Sequence, residues 1–161
     1  MLSDDFCGTH AVTSHTLDWL QSQGQQIDCA CCIYATAPLL RVDNLKAGYQ
    51  KLINDNLSMV YSVTTFPFPI QRAVYLNDEI FNTPIPFDIK GYKQRSQDLR
   101  VLYHDAGQFY WGIPNAFRES YDLFSNTTGT VCLPRNEVCD IDEMVDWKIA
   151  ESLYVNFSDT P

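Results

Sequence analysis

Cys29-Ala30-Cys31-Cys32-Ile33-Tyr34-Ala35-Thr36-Ala37-Pro38-Leu39 is the stretch on which the fold turns. Residues 29–33 are short, apolar and without polar alternation, the pattern of a buried strand of parallel type. Beyond the turn-forming segment 34–39, Asp43 stands where the N-cap of a helix running to about Ile53 is expected. Residues 59–64 read as a second strand. Upstream, a helix is expected over about 10–22, with Thr9 as its cap, Val12, Leu17 and Leu20 on one apolar face and Gly24 as its stop. Alternation of strand, helix and strand predicts an α/β sheet. In open sheets of that class ligands gather beyond the carboxyl ends of the strands, which puts residues 34–39 and 64–72 on the expected active edge.

The bulk properties agree. A chain of 161 residues can bury one core and form one domain. With 45% hydrophobic and 19% charged residues it has the composition of an ordered globular protein. A net charge of −9 argues against nucleic acid or an anionic membrane surface as partner, because both are polyanions. The clustering of Cys29, Cys31 and Cys32 does not read as a disulfide scaffold, since strand neighbours point to opposite faces. Nor does their spacing, with Cys132 and Cys139 far away and no His nearby, suit zinc. Without a signal-like segment or a membrane-length apolar run, a reducing cytoplasm is expected.

The middle of the chain changes character. Phe66-Pro67-Phe68-Pro69 and Thr83-Pro84-Ile85-Pro86 bracket a short strand at 73–76. Proline suits a central strand poorly, so residues 66–93 are expected to leave the sheet as a lid or dimer arm. Thereafter a strand is expected at 107–112, a short helix at 115–121, an apolar strand at 131–134, and a final helix with Val145, Ile149, Leu153 and partly Trp147 inward.

Two clusters carry the chemistry. Asp140 and Asp142 lie two apart before the last helix; on extended backbone they would face one site and could hold Mg²⁺. The same spacing equally suits Asp142 as a helix cap beside a solvated Asp140. The second cluster is Arg95-Ser96-Gln97-Asp98 with His104-Asp105-Ala106-Gly107-Gln108-Phe109-Tyr110-Trp111. It has an arginine able to grip a carboxylate and donors for a polyol, although its composition also fits a polar surface loop. No Ser or Cys nucleophile signature accompanies His104 and Asp105, so a hydrolase triad has no support. Phe66, Phe68, Phe109, Tyr110 and Trp111 read as core or interface by default.

Together with Ser3-Asp4-Asp5-Phe6-Cys7-Gly8-Thr9, Cys32-Ile33-Tyr34-Ala35-Thr36-Ala37-Pro38 and Phe66-Pro67-Phe68-Pro69-Ile70-Gln71-Arg72, these segments resemble the cytidylyltransferases that activate nonulosonic acids, in their pseudaminic acid branch. The resemblance covers essentially the whole chain. It implies a Rossmann-like nucleotidyltransferase fold with a mixed, mostly parallel sheet and a protruding segment packed across a homodimer. It also implies transfer of CMP from CTP to the anomeric hydroxyl of the sugar acid. On the same resemblance Asp140 and Asp142 would bind Mg²⁺, with Arg95 beside them in the catalytic set. Tyr34, Thr36, Gln71, Gln97, His104, Asp105, Gly107 and Gln108 would line the sugar site, and Thr9 would lie near the nucleotide. Sialic acid members carry a Gln where this chain has Tyr34 and an Arg where it has Leu40, which favours pseudaminic over sialic acid. The family's first strand and its phosphate-cradling loop, rich in Gly, Ser, Arg and Lys, have no counterpart here. A fragment or degenerate relative with little or no transferase activity is therefore expected, the alternative being a non-catalytic sugar-binding or interaction module.

Overall fold

The computed structural model describes residues 7–77, 80, 82–118 and 123–157. Helix α1 (Thr9–Ser22) leads to strand β1 (Ala30–Ile33), helix α2 (Val42–Asn54) and strand β2 (Met59–Thr65). A two-stranded hairpin follows, β3 (Val74–Asn77) with β4 (Thr83–Pro86), and then the single turn α3 (Ile89–Tyr92). The long strand β5 (Tyr103–Gly112), strand β6 (Thr128–Cys132) and helix α4 (Met144–Phe157) complete the order.

The main sheet has the order β1-β5-β2-β6. β5 pairs antiparallel with both β1 and β2, whereas β2 and β6 are parallel. Three of the four strands thus share one direction, and β5 is inserted against them. That insertion changes the setting of β1: it borders the described sheet, its ladder is antiparallel, and Ile33 is 49% exposed. The apolar run at 29–33 encodes a strand but is silent about its neighbour.

Two helices cover the sheet. On one face Leu17 of α1 packs with Met59, Tyr110 and Phe117, and Tyr34, Tyr61 and Leu123 border this cluster. The opposite face carries Phe109 and Trp111 against α2. A Cβ on Gly48 would stand 2.8 Å from the Phe109 ring, so only glycine allows this approach. The Trp111 indole N–H donates to the Leu45 carbonyl at 3.0 Å and fixes the helix in register.

Several local expectations are corrected. Thr9 is the first helical residue of α1 rather than its cap; that position is Gly8. Arg41, not Asp43, occupies the N-cap position of α2, without a side-chain capping bond, and Asp43 sits in its first turn, where a negative charge meets the positive helix end. The strand expected at 107–112 begins at Tyr103, and that expected at 131–134 runs over Thr128–Cys132. Residues 114–117 form a 3₁₀ turn, and 119–121 of the expected helix lie outside the described residues, as do Ser3 to Phe6. In α4 the buried residue is Ala150, while Val145, Trp147 and Ile149 are about half exposed. The helix lays its apolar side over a shallow groove with Pro38 and Ile141 instead of entering the core.

Candidate active site

The site is organised by a distortion of β5. Tyr61 faces Tyr110 and Val63 faces Asp105, so residues 106–109 span the single residue Ser62. Such a bulge strands backbone groups. Ser62 compensates by accepting the Phe109 N–H on its hydroxyl at 3.3 Å. Asp105 stabilises the other side: Oδ1 accepts the Gly107 N–H at 2.9 Å, closing a side-chain turn, and Oδ2 accepts the Tyr110 hydroxyl at 2.5 Å. Gly107 has φ +61°, a left-handed conformation that favours glycine.

The bulge seats the acidic segment before α4. A Cβ on Gly107 would stand 3.0 Å from Asp140 Oδ2, so the carboxylate rests in the space this glycine leaves. The fully buried Gln108 donates through Nε2 to the Glu137 carbonyl. Glu137 in turn forms an ion pair with Arg41, Nε and Oε1 3.2 Å apart, and accepts a hydrogen bond from Asn44 Nδ2 at 3.1 Å. Residues 137–140 are thereby tied to both α2 and β5. Asp146 holds the far end, Oδ2 accepting the backbone N–H groups of Asp142 at 3.2 Å and Glu143 at 2.9 Å. Capping of α4 therefore falls to Asp146, reaching back from the first turn, and not to Asp142. Asp140 and Asp142 are both exposed, and neither forms an ion pair among the described residues.

On the α1 side of the sheet, Tyr61, Val63, His104, Asp105, Phe124 and Thr130 surround a cavity of about 450 Å³. This is within the usual range for a small-molecule site. The Tyr110 ring lies parallel to Tyr61, centroids 6.0 Å apart, and 5.1 Å from Tyr34. Burial, then the hydrogen bond and the charge of Asp105, push the Tyr110 hydroxyl well above the ordinary tyrosine pKa. Burial and Asp105 shift Tyr61 in the same direction. Both phenols stay protonated, and Tyr110 donates to Asp105. The His104 ring lies 4.8 Å from Phe66 and bonds through Nδ1 with the Asp105 backbone oxygen at 2.7 Å.

The remaining expected site residues are dispersed. Thr36 lies in the turn after β1, partly buried near Tyr34 in sequence, and Thr9 is exposed at the start of α1. Gln71 donates to the Arg100 carbonyl at 2.9 Å, and its Cβ packs on Gly91. Gln97 is exposed. Arg95 is closed on Asp98 through two bonds of 2.7 and 3.0 Å. Among the described residues no group of three or more His, Cys, Asp and Glu side chains converges as a metal centre. No helix among them is long and apolar enough to cross a membrane, and none of the six cysteines is paired. Sequence reasoning missed Ser62, Glu137 and Asp146. The signal for Asp146 was available, since an acid in the first turn of a helix can reach back to its cap.

A mixed sheet with helices on both faces and an acidic loop beyond its bulge defines an α/β fold. The solved structure of CMP:2-keto-3-deoxy-manno-octonic acid synthetase complexed with CTP superposes with a TM-score of 0.52 at 11% identity, over 89% of this chain and 68% of that one. In sequence the chain is similar to proteins named pseudaminic acid cytidylyltransferase. It is 47% identical over 153 residues, 95% of its length, to the pseudaminic acid cytidylyltransferase of Campylobacter jejuni serotype O:2. It is 31% identical over 94% of its length to a Helicobacter pylori protein named pseudaminic acid cytidylyltransferase and UDP-2,4-diacetamido-2,4,6-trideoxy-beta-L-altropyranose hydrolase, covering 28% of that protein. To N-acylneuraminate cytidylyltransferase B of Danio rerio the identity is 26% over 82% of the chain, 31% of that protein. The chain spans 65% of the length of the Campylobacter relative. No family model matches it.

Proposed function

We propose that this chain carries the sugar-binding and acidic part of a cytidylyltransferase that transfers CMP from CTP to the anomeric hydroxyl of pseudaminic acid. The observation that carries this reading is the 47% identity, sustained over 95% of the chain, to a protein of that name. The lower identity, 26%, to the N-acylneuraminate enzyme favours pseudaminic over sialic acid. In the reaction the sugar hydroxyl forms a bond to the α-phosphorus and the bond to pyrophosphate breaks.

Asp140 and Asp142 fit a hard divalent cation such as Mg²⁺. They offer exposed carboxylates free of protein cations, on a loop anchored at Glu137 and Asp146. Bound there, the ion would offset phosphate charge during an in-line displacement. Gly107 lets Asp140 settle, and Asp105 with Tyr110 holds the bulge that presents Gly107. The pair would thus act as positioning residues. The 450 Å³ cavity, with His104, Tyr61 and Thr130 on its walls, offers polar and aromatic contacts suited to a sugar acid. Tyr34, Thr36 and Gln97 would border the sugar, and Thr9 the nucleotide. The β3–β4 hairpin exposes Val74, Tyr75 and Leu76, and the segment leading into α3 exposes Phe87 and Ile89, each at least 45% accessible, which supports a role as the arm of a homodimer. The setting of such a reaction is the cytoplasm, where CTP is made available.

The test is pyrophosphate release from CTP and Mg²⁺ with pseudaminic acid, repeated with Asp142→Asn. Release that the substitution lowers by at least about tenfold supports the reading. No binding of pseudaminic acid by the chain, or tighter binding of N-acetylneuraminic acid, refutes it.

A further inference from the structure

Beyond the carboxyl ends of the parallel pair β2 and β6 lies a second hollow, of about 350 Å³. Thr65, the last residue of β2, and Phe66 form one wall, and Ser96 and Leu102 line it as well. Arg100 and Arg135 line it from two different segments, the lead into β5 and the 3₁₀ turn after β6. Neither guanidinium has an ion-pair partner among the described residues.

The chain has 20 acidic and 11 basic residues, so carboxylates are in excess. The carboxylates closest in sequence are already committed. Asp98, two before Arg100, accepts both bonds of Arg95. Glu137, two after Arg135, is held by Arg41 and Asn44. Two like charges lining one concave space repel each other, and an anion placed between them relieves that repulsion. Planar guanidinium groups match the two oxygens of a carboxylate. The aromatic Phe66 beside them could cover the apolar face of a ring. Phe66 also touches His104, so this hollow and the 450 Å³ cavity meet across one ring pair.

We infer that Arg100 and Arg135 form the anion subsite that receives the carboxylate of the sugar acid, a role Arg95 is kept from by Asp98. The inference rests on the reading of the chain as a sugar-acid cytidylyltransferase. Phosphate is the other source of an anion, and the experiment separates the two.

Calorimetric titration would compare pseudaminic acid, its methyl ester and CTP with the wild-type chain, Arg95→Ala, and the double variant Arg100→Ala/Arg135→Ala. All three arginines are exposed, so folding should survive, and circular dichroism verifies it. The expected result is at least about tenfold weaker binding of pseudaminic acid to the double variant, with Arg95→Ala within about twofold of wild type. The methyl ester should bind wild type as weakly as the acid binds the double variant. If wild type and double variant bind the acid equally, the subsite is wrong while the functional reading stands. If the double variant loses only CTP, the anion is phosphate and the assignment fails. If the wild-type chain binds no pseudaminic acid, the functional reading falls and this subsite with it.

Discussion

Replacing Gly107 by Ala probes the link between the bulge and the acidic loop. Two terms contribute. Residue 107 holds φ +61°, and placing a Cβ there costs about 1–2 kcal/mol in backbone strain. The new Cβ would also lie 3.0 Å from Asp140 Oδ2 and 3.3 Å from its Cγ, too close by a few tenths of an ångström. Asp140 is exposed, so its carboxylate can swing aside at a cost of about 0.5 kcal/mol or less. The sum is roughly 1–2.5 kcal/mol, dominated by the backbone. The two terms separate in a double-mutant cycle with Asp140→Ala, whose Cβ, 3.8 Å away, is at ordinary contact distance. In that background only the strain remains, and the coupling should not exceed about 0.5 kcal/mol. Urea unfolding measures the stability part. Displacement of the carboxylate should also weaken Mn²⁺ binding, read by electron paramagnetic resonance in the presence of CTP. A loss below about 0.5 kcal/mol would refute the left-handed geometry at residue 107. Unchanged Mn²⁺ affinity, with wild type binding clearly, would refute the seating of Asp140 by this glycine.

Two further predictions concern the same region. Asp146→Ala removes the acceptor of the Asp142 and Glu143 N–H groups and should cost about 0.5–2 kcal/mol, with faster hydrogen exchange at those two amides. Equal exchange in variant and wild type would show that water serves the loop as well as Asp146 does. Stability should also decline in alkali. Cys31, pushed up from 9.0 to about 12 by burial and by neighbouring Cys32 and Cys29, favours folding fully below pH 9 and loses that contribution as pH rises towards 12. Tyr110, raised above 10.0, acts in the same sense, its contribution present below pH 10 and lost above it. Tyr110→Phe should flatten the fall above pH 10 in urea-melt midpoints, and an unaltered pH profile would contradict the raised value.

Local patterning in the chain determined the elements. The apolar run at 29–33, the helix periods on either side and the proline punctuation at 66–86 each encode a strand, a helix or an excursion, because side-chain period and backbone restriction act over a few residues. The quoted segments were also sufficient to indicate the kinship of the chain, since such motifs are local strings. Pairing was another matter. That β5 would insert between β1 and β2 depends on contacts about forty to eighty residues apart, which no local signal specifies. Gly107 reads as a turn residue, yet in three dimensions it is the gap that holds Asp140. Arg95 reads as a carboxylate clamp, and folding closes it on Asp98 three residues on, leaving Arg100 and Arg135 at the hollow. Residue type announces what chemistry a side chain can perform; tertiary packing decides which groups are already satisfied by the protein and which remain for a ligand.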